Sequence, residues 1–119
     1  MDGKSLAFLD PVDLYAILGN ALDNAVEGVS GFSDKTKRLI DLAVYTRNQF
    51  LAITVSNPVE GELQFLGGLP VTTKKDRGYH GFGLRSIRHT VRQYGGHINV
   101  SVEHGTFLLK MIIPLPKQA

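Results

Sequence analysis

The order of predicted elements indicates an α+β fold: a two-layer α/β sandwich with a mixed, mostly antiparallel sheet backed by helices. Apolar residues recur at helical spacing in two segments, and four further segments have the composition of short strands. The strands come in two pairs, and each pair follows one helix. A parallel doubly wound sheet would instead alternate single strands with helices.

The composition indicates one globular domain that spans residues 1–119. Of the 119 residues, 43% are hydrophobic and 20% are charged, which is ordinary for a globular chain. Residues 1–9 contain too short an apolar stretch for a signal peptide, and we expect an extended lead-in there. Cysteine is absent, which excludes disulfides and thiolate metal sites.

The first helix is predicted from residue 10 to about Val29. Asp10 suits the N-cap and Pro11 the first helical position, while Gly28 or Gly31 suits the end. Six apolar residues lie on one face of this helix at helical spacing: Leu14, Leu18, Ala21, Leu22, Ala25 and Val29.

A second face of the same helix is polar. Asn20, Asn24 and Glu27 lie at positions i, i+4 and i+7, within a band of about 60°. Asn is a weak helix former, and its amide suits a face that holds a metal or a polar ligand. The alternative is a solvated helix face on which the two Asn residues are incidental.

The first pair of strands is predicted at residues 39–45 and 50–56, joined by a turn at 46–49. Asn57 and Pro58 should end the second strand, because proline cannot continue a central ladder. Residues 62–80 show no sustained period, so a long loop is expected there, either functional or mobile.

A second helix is predicted at residues 84–94, closed by Gly95 and Gly96. Strands at 98–102 and 106–113 follow, joined by a turn at 103–105. Pro114 then ends the sheet.

Two glycines, Gly81 and Gly83, stand at the mouth of the second helix. There the backbone can approach an anion such as a phosphate, and flexible cations in the preceding loop (Lys74, Lys75 and Arg77) could close over it. A plain turn into the helix and a solvated loop are the alternatives.

A basic stripe follows on the second helix, formed by Arg85, Arg88 and Arg92. No aromatic residue interleaves with the stripe, and no recognition-helix motif accompanies it. We therefore expect no direct contact with nucleic acid.

Three motifs together resemble the ATP-binding domain of the Bergerat (GHKL) superfamily. The stretch from Asn20 to Ala25 resembles its N box, and the stretch from His80 to Leu84 resembles its G2 box. Gly105-Thr106-Phe107, before the last strand, resembles its closing strand. The fuller pattern, which covers nearly the whole chain, is similar to bacterial sensor histidine kinases of the peptide-pheromone type.

The resemblance implies roles for several polar residues. Asn24 would coordinate Mg²⁺ that bridges the ATP phosphates, Asn20 would support the phosphates, and Lys74 and Lys75 would reach them from a lid loop. ATP hydrolases of this superfamily carry Glu where this chain has Asn20. An amide cannot accept the proton of a water molecule, which argues for the kinase branch.

The resemblance also implies how the nucleotide is held by the remaining motif residues. Within the G2 box (His80, Gly81, Gly83, Leu84), the two glycines would let the backbone approach the phosphates, and Thr106 would line the adenine pocket. Asn57 stands where most members have the Asp of Asp-x-Gly-x-Gly, with Gly61 four residues later and one glycine missing. Its side-chain oxygen would accept from the adenine amino group.

The implied enzyme is a protein histidine kinase that transfers the γ-phosphoryl group of ATP to a histidine on a separate domain. The implied partners are an upstream dimerisation and phosphoacceptor domain and a response regulator, in a homodimeric sensor bound to the membrane. This domain would be its cytoplasmic catalytic part and is not expected to autophosphorylate alone. The alternatives are a serine kinase of the anti-sigma-factor type and a degenerate module without turnover.

Overall fold

The computed structural model describes residues 6–60, 65–70 and 80–116, the residues 80–82 in their backbone alone. Two helices are described, α1 (Pro11–Ser30) and α2 (His80–Gln93), together with a 3₁₀ turn at Lys35–Lys37. The strands are β1 (Asp41–Arg47), β2 (Phe50–Pro58), β3 (Phe65–Leu66), β4 (Leu69–Pro70), β5 (His97–Glu103) and β6 (Thr106–Pro114).

Four strands form the main sheet in the order β1-β2-β6-β5. Asp41 pairs with Ser56, Asn57 with Phe107 and Val102 with Phe107. Every pairing between the described strands is antiparallel, so the parallel component of the predicted mixed sheet is not found in this part of the chain. The α+β class with a helix-backed antiparallel sheet is confirmed.

The core lies between one face of the sheet and the two helices. Alternate residues of β2 and β6 point into it, as the period of two in a strand requires. The two helices and the strands β2 and β6 all contribute fully buried residues of large volume. These include Ile17, Leu51, Ile53, Leu84, Ile87, Leu109, Met111 and Ile113. Ile17 is missing from the apolar face predicted for the first helix. None of the described helices is long and apolar enough to cross a membrane.

Helix α1 starts as predicted. The Asp10 side chain accepts a hydrogen bond from the Val12 N–H at 2.9 Å, and Pro11 occupies the first turn. The helix runs to Ser30 with Gly31 as its C-cap, so Gly28 lies inside it. The extended lead-in is wrong for residues 6–9, where the Leu9 N–H closes a turn onto the Leu6 carbonyl. Burial of both leucines in the core favours this turn.

Strand β2 continues through Asn57 and Pro58, which corrects the predicted break. Pro58 pairs with Thr106, while β1 accompanies β2 only as far as Ser56. Proline is tolerated where one side of the ladder is open. The sequence also missed the hairpin of β3 and β4, because strands of two residues are too short to show a period.

Helix α2 begins at His80, four residues before its predicted start. The two G2-box glycines therefore belong to its first turn rather than to a preceding loop. At the other end, Gly95 has φ of 79° and the Gly96 N–H donates to the Val91 carbonyl at 3.0 Å. This is the glycine C-cap that the sequence predicts.

The Tyr94 hydroxyl joins the start of α1 to the end of α2. It donates to Oδ2 of Asp13 at 2.6 Å and accepts from the Asp10 N–H at 3.0 Å. The Phe8 ring meets the Tyr94 ring edge to face, with centroids 6.2 Å apart. The hydrogen bond to Asp13 raises the pKa of Tyr94 above its ordinary value.

Tyr94→Phe should lower the thermal midpoint by about 3 °C or more, because two hydrogen bonds are lost. A raised tyrosine pKa stabilises the fold below the ordinary pKa of 10.0, and this contribution disappears as pH rises above it. The variant should therefore lose less stability than the parent above pH 10.0. Differential scanning calorimetry across this range tests both expectations.

The matched control is Tyr45→Phe on strand β1, where the tyrosine is 39% exposed. An equal effect of the two substitutions would contradict the role assigned to the Tyr94 hydroxyl.

Candidate functional site

Asn57 is a buried polar side chain at the end of β2, with 3% of its surface exposed. Its Nδ2 donates to the Pro58 carbonyl at 3.0 Å. This bond orients the amide, because a flipped amide would place two oxygens against each other. Among the described residues, none donates to Oδ1 of Asn57. Buried acceptors normally have a partner, so this oxygen is suited to a donor group on a ligand.

Gly28 lets helix α1 pack directly on the Asn57 amide. A Cβ atom at Gly28 would lie 2.6 Å from Nδ2 of Asn57, closer than real Cβ contacts allow. Gly28 therefore belongs to the site as the residue that leaves room for the Asn57 side chain. The sequence prediction missed this role, and the only signal for it was a glycine inside a helix, where glycine is unfavourable.

Asn20 lies against the first turn of α2. A Cβ atom at Gly83 would be 3.8 Å from Oδ1 of Asn20, an ordinary contact distance. The first four N–H groups of a helix have no acceptor within that helix, and the helix dipole is positive there. The N-box amide and the N-terminus of α2 thus form one polar region that is suited to an anion.

Asn24 is half-buried and lies one turn after Asn20 on the same face of α1. Glu27 is exposed, and both residues make interactions within the protein. No cluster of three or more His, Cys, Asp or Glu side chains suited to a metal occurs in the described residues. An amide oxygen can still ligate Mg²⁺, which commonly takes one or two protein ligands together with phosphates and water.

Thr106 lies beside the Asn57 end of the region. It pairs with Pro58 across β2 and β6, and the Val59 N–H donates to the Gly105 carbonyl at 2.9 Å. Thr106 is exposed. The start of β6 therefore borders the buried amide at the end of β2.

The two polar regions stand at different points along α1. Asn20 marks one region and Gly28 the other, and eight helical residues correspond to about 12 Å of axis. The arrangement suits an elongated ligand with an anionic group at the Asn20 end. A hydrogen-bond donor of that ligand would fit at the Asn57 end.

Several predicted site residues are only partly described. Gly61, Lys74, Lys75 and Arg77 lie outside the described residues. His80 and Gly81 are described by their backbone, in the first turn of α2. The Leu84 side chain belongs to the core, with 1% of its surface exposed.

The family model of the GHKL domain matches residues 9–114. The chain belongs to the GHKL family, as its motifs predict. The family binds ATP. No curated protein matches the sequence.

Solved structures of histidine kinases share this fold. The catalytic domain of histidine kinase ThkA has a TM-score of 0.67 at 20% identity and covers 89% of this chain and 68% of that one. The Acinetobacter baumannii histidine kinase AdeS has a TM-score of 0.63 at 14% identity and covers 91% of this chain. This chain spans about half of that kinase, 48% of its length.

A blue-light activated histidine kinase from Erythrobacter litoralis, EL346, matches with a TM-score of 0.58 at 21% identity. The match covers 87% of this chain and 43% of that one. At such identities the likeness concerns the fold, and this fold is the one found in the ATP-binding domains of histidine kinases.

Gly28→Leu should lower the free energy of unfolding by about 2 kcal/mol or more, since the added atoms overlap the Asn57 amide. The matched control is Gly31→Leu, because a Cβ atom there meets nothing within 4 Å. Urea unfolding of both variants measures the difference. Equal stability of the two variants would contradict the close packing of α1 on Asn57.

Proposed function

We propose that this domain is the ATP-binding catalytic domain of a two-component histidine kinase. It would present the γ-phosphoryl group of ATP to a histidine on a separate domain. The observation that carries the proposal is Oδ1 of Asn57, a buried acceptor without a donor in the described chain. Family membership and the fold support the same conclusion.

The base would be recognised at Asn57. Oδ1 accepts a hydrogen bond, so it favours a ring that carries an amino group over one that carries a carbonyl. The Nδ2 bond to Pro58 holds this preference in place. Gly28 supports it by leaving the amide undisturbed, and Thr106 borders the same pocket.

The phosphates would lie at the Asn20 end. Asn20 and the free N–H groups of α2 favour negative charge, Asn24 would hold Mg²⁺ through its amide oxygen, and Lys74 and Lys75 would approach from the lid. When bound, Mg-ATP supplies the phosphoryl group and the metal charge that stabilises its transfer. The residues of this chain would bind the nucleotide and orient its γ-phosphoryl group.

The identity of residue 20 favours transfer to another protein group over hydrolysis. A general base must accept a proton from water, and the Asn20 amide cannot. Asn20 lies at the end of the site that is suited to an anion, in contact range of Gly83. A kinase needs no base for water and is consistent with an amide at this position.

The acceptor and the assembly belong to the longer protein. The proposed partners are an upstream dimerisation and phosphoacceptor domain, a response regulator, and a second subunit in a membrane-bound sensor of the peptide-pheromone type. A serine kinase of the same fold is the second candidate. Acid-labile phosphohistidine in the longer protein would favour the first candidate, and acid-stable phosphoserine the second.

Calorimetry with ATP and ITP tests the role of Asn57. These nucleotides differ at position 6 of the purine, which carries an amino group in ATP and a carbonyl in ITP. The domain should bind ATP at least about tenfold more tightly than ITP, because the carbonyl would leave Oδ1 unpaired. Asn57→Leu should weaken ATP binding and remove the preference.

The control for that experiment is Ser56→Ala, which changes the neighbouring side chain on the opposite face of β2. It should keep the preference for ATP. An Asn57→Leu variant that still discriminates between the two nucleotides would place the residue outside the base pocket.

Calorimetry with and without Mg²⁺ tests the role of Asn24. Mg²⁺ should tighten ATP binding, and Asn24→Ala should reduce that gain about tenfold or more, because one oxygen ligand is lost. Asn99→Ala, at an exposed position of β5, is the control. A gain that survives in Asn24→Ala would refute the metal assignment, and absence of nucleotide binding at millimolar ATP would refute the kinase proposal.

A further inference from the structure

Strand β1 lies at the edge of the main sheet, and among the described strands it pairs with β2 alone. Its seven residues, Asp41–Arg47, are nearly all exposed. Natural edge strands are commonly very short, or are protected by proline, a bulge or an inward-pointing charge. Strand β1 contains no proline or glycine, and its register with β2 is unbroken over all seven residues. The edge is therefore available for pairing with another strand.

The hairpin register shows which backbone groups of β1 point away from β2. Only two residues separate Arg47 from Phe50, so this pair exchanges the closing hydrogen bonds of the hairpin. Every second residue before Arg47 faces β2 in the same way, and the alternate residues direct their N–H and C=O groups outward. These outward groups belong to Leu42, Val44 and Thr46. Among the described residues, none makes a hydrogen bond to them.

The side chains of β1 are complementary to a second β1 that runs in the opposite direction. One symmetric register pairs all seven residues, with its two-fold axis at Val44. Asp41 then lies opposite Arg47 of the second copy, and Ala43 lies opposite Tyr45. Opposite charges and a small residue beside an aromatic one are favourable cross-strand neighbours. We propose that β1 pairs antiparallel with β1 of a second copy of this chain in this register.

The same register satisfies the outward backbone groups. Val44 lies opposite Val44 of the second copy, and Leu42 lies opposite Thr46, so residues with outward groups meet one another. Each such pair exchanges two backbone hydrogen bonds. Strand addition gains affinity from main-chain bonds of this kind, which an apolar surface contact does not offer.

Charge favours a second copy over an unrelated strand. The only charged residues of β1 are Asp41 and Arg47, one at each end, and both lie on the sheet face away from the helices. An antiparallel copy reverses their order, so a positive end meets a negative end twice. A strand of another sequence would have to carry the same two charges at the same spacing.

The two copies can approach without a clash of their helices. A two-fold axis perpendicular to the sheet places both helix layers on the same face. Helix α1 packs over β2, and the two β2 strands would be three strand spacings apart, about 14 Å. A helix with its side chains is about 10–12 Å wide, so two α1 helices fit side by side. The screening length at physiological salt is about 8 Å, so the acids of the two helices repel little.

The contact is small, and we expect a transient dimer. Two paired strands of seven residues extend over about 23 Å. The pairing covers part of Leu42, which is 40% exposed, and of the half-buried Val44 on the helix face. Such an area lies below that of permanent interfaces, so the expected dissociation constant is about 0.1 mM.

Exchange of the two charges tests the register. Asp41→Arg or Arg47→Asp alone places like charges opposite each other at both ends of the contact and should weaken the dimer at least about fivefold. The double variant Asp41→Arg/Arg47→Asp restores opposite charges and should dimerise like the parent chain. Sedimentation equilibrium at up to about 1 mM protein, tenfold above the expected dissociation constant, measures each association.

The matched control is Glu103→Arg at an exposed position of β5, the opposite edge of the sheet, which should leave the association unchanged. Circular dichroism verifies that each variant is folded. A double variant as weak as the single variants would overturn the register. A parent chain that stays monomeric at about 1 mM would overturn the dimer.

Disulfide trapping tests the register independently, and the chain is suited to it because it contains no cysteine. An equal mixture of Ala43→Cys and Tyr45→Cys should yield mainly the mixed dimer with copper phenanthroline as oxidant. These two positions form a non-hydrogen-bonded pair with Cα atoms about 4.5 Å apart, whereas identical positions lie on a diagonal of about 7–8 Å. Intact-mass spectrometry separates the three dimers. A statistical ratio of the three, or no cross-link, would overturn the proposed pairing.

Dimerisation and nucleotide binding can be tested separately. Arg47 lies at the hairpin end of β1, whereas Asn57 lies at the far end of β2. Arg47→Asp should therefore weaken the dimer and leave the affinity for ATP unchanged. A dimer that binds no ATP would refute the proposed function alone, and a strict monomer that binds ATP would refute the β1 pairing alone.

Discussion

The candidate site depends on the close packing of helix α1 against the side chain of Asn57. Gly28 is the point of contact, and its missing Cβ atom lets the helix approach the amide. The helix and the Pro58 carbonyl then hold Nδ2, and Oδ1 is left as a buried acceptor. An unpaired buried acceptor costs about 1–3 kcal/mol, and a ligand donor that reaches it recovers much of this free energy. If Asn57 recognises the base as proposed, stability and base recognition are coupled at this residue.

Most elements of the fold could be predicted from local signals. The Asp10-Pro11 start of α1, the Gly95 stop of α2 and the paired strands all rest on neighbouring residues, and the structure agrees to within a few positions. The errors arose where the local structure depends on residues that are distant in the sequence. Pro58 continues β2 because β1 has already ended beside it. The end of β1 is set by the pairing of the sheet and cannot be inferred from the proline and its neighbours.

The candidate site could be predicted only in part, because local motifs indicate some of its residues but not the contacts between distant elements. Asn20, Gly83 and Asn57 are predicted to contact a nucleotide because the motifs around them resemble those of the family. Two contacts, Gly83 with Asn20 and Gly28 with Asn57, join elements far apart in the sequence. No local period in the sequence indicates such a contact. Gly28 was therefore predicted as a possible helix end, although it lies within the helix.

Helix α1 has a buried face, an amide face and an exposed face, and its composition is mixed accordingly. Its buried face carries small residues such as Ala21 and Ala25, so the helix sits close to the sheet. Its amide face carries Asn20 and Asn24, whose low helix propensity the proposed ligand role would explain. Exposed positions of the same helix add further poor helix formers, namely Val12, Tyr15, Gly19 and Val26. Tertiary packing must therefore supply most of the stability of α1, and any change that loosens that packing also disturbs the candidate site.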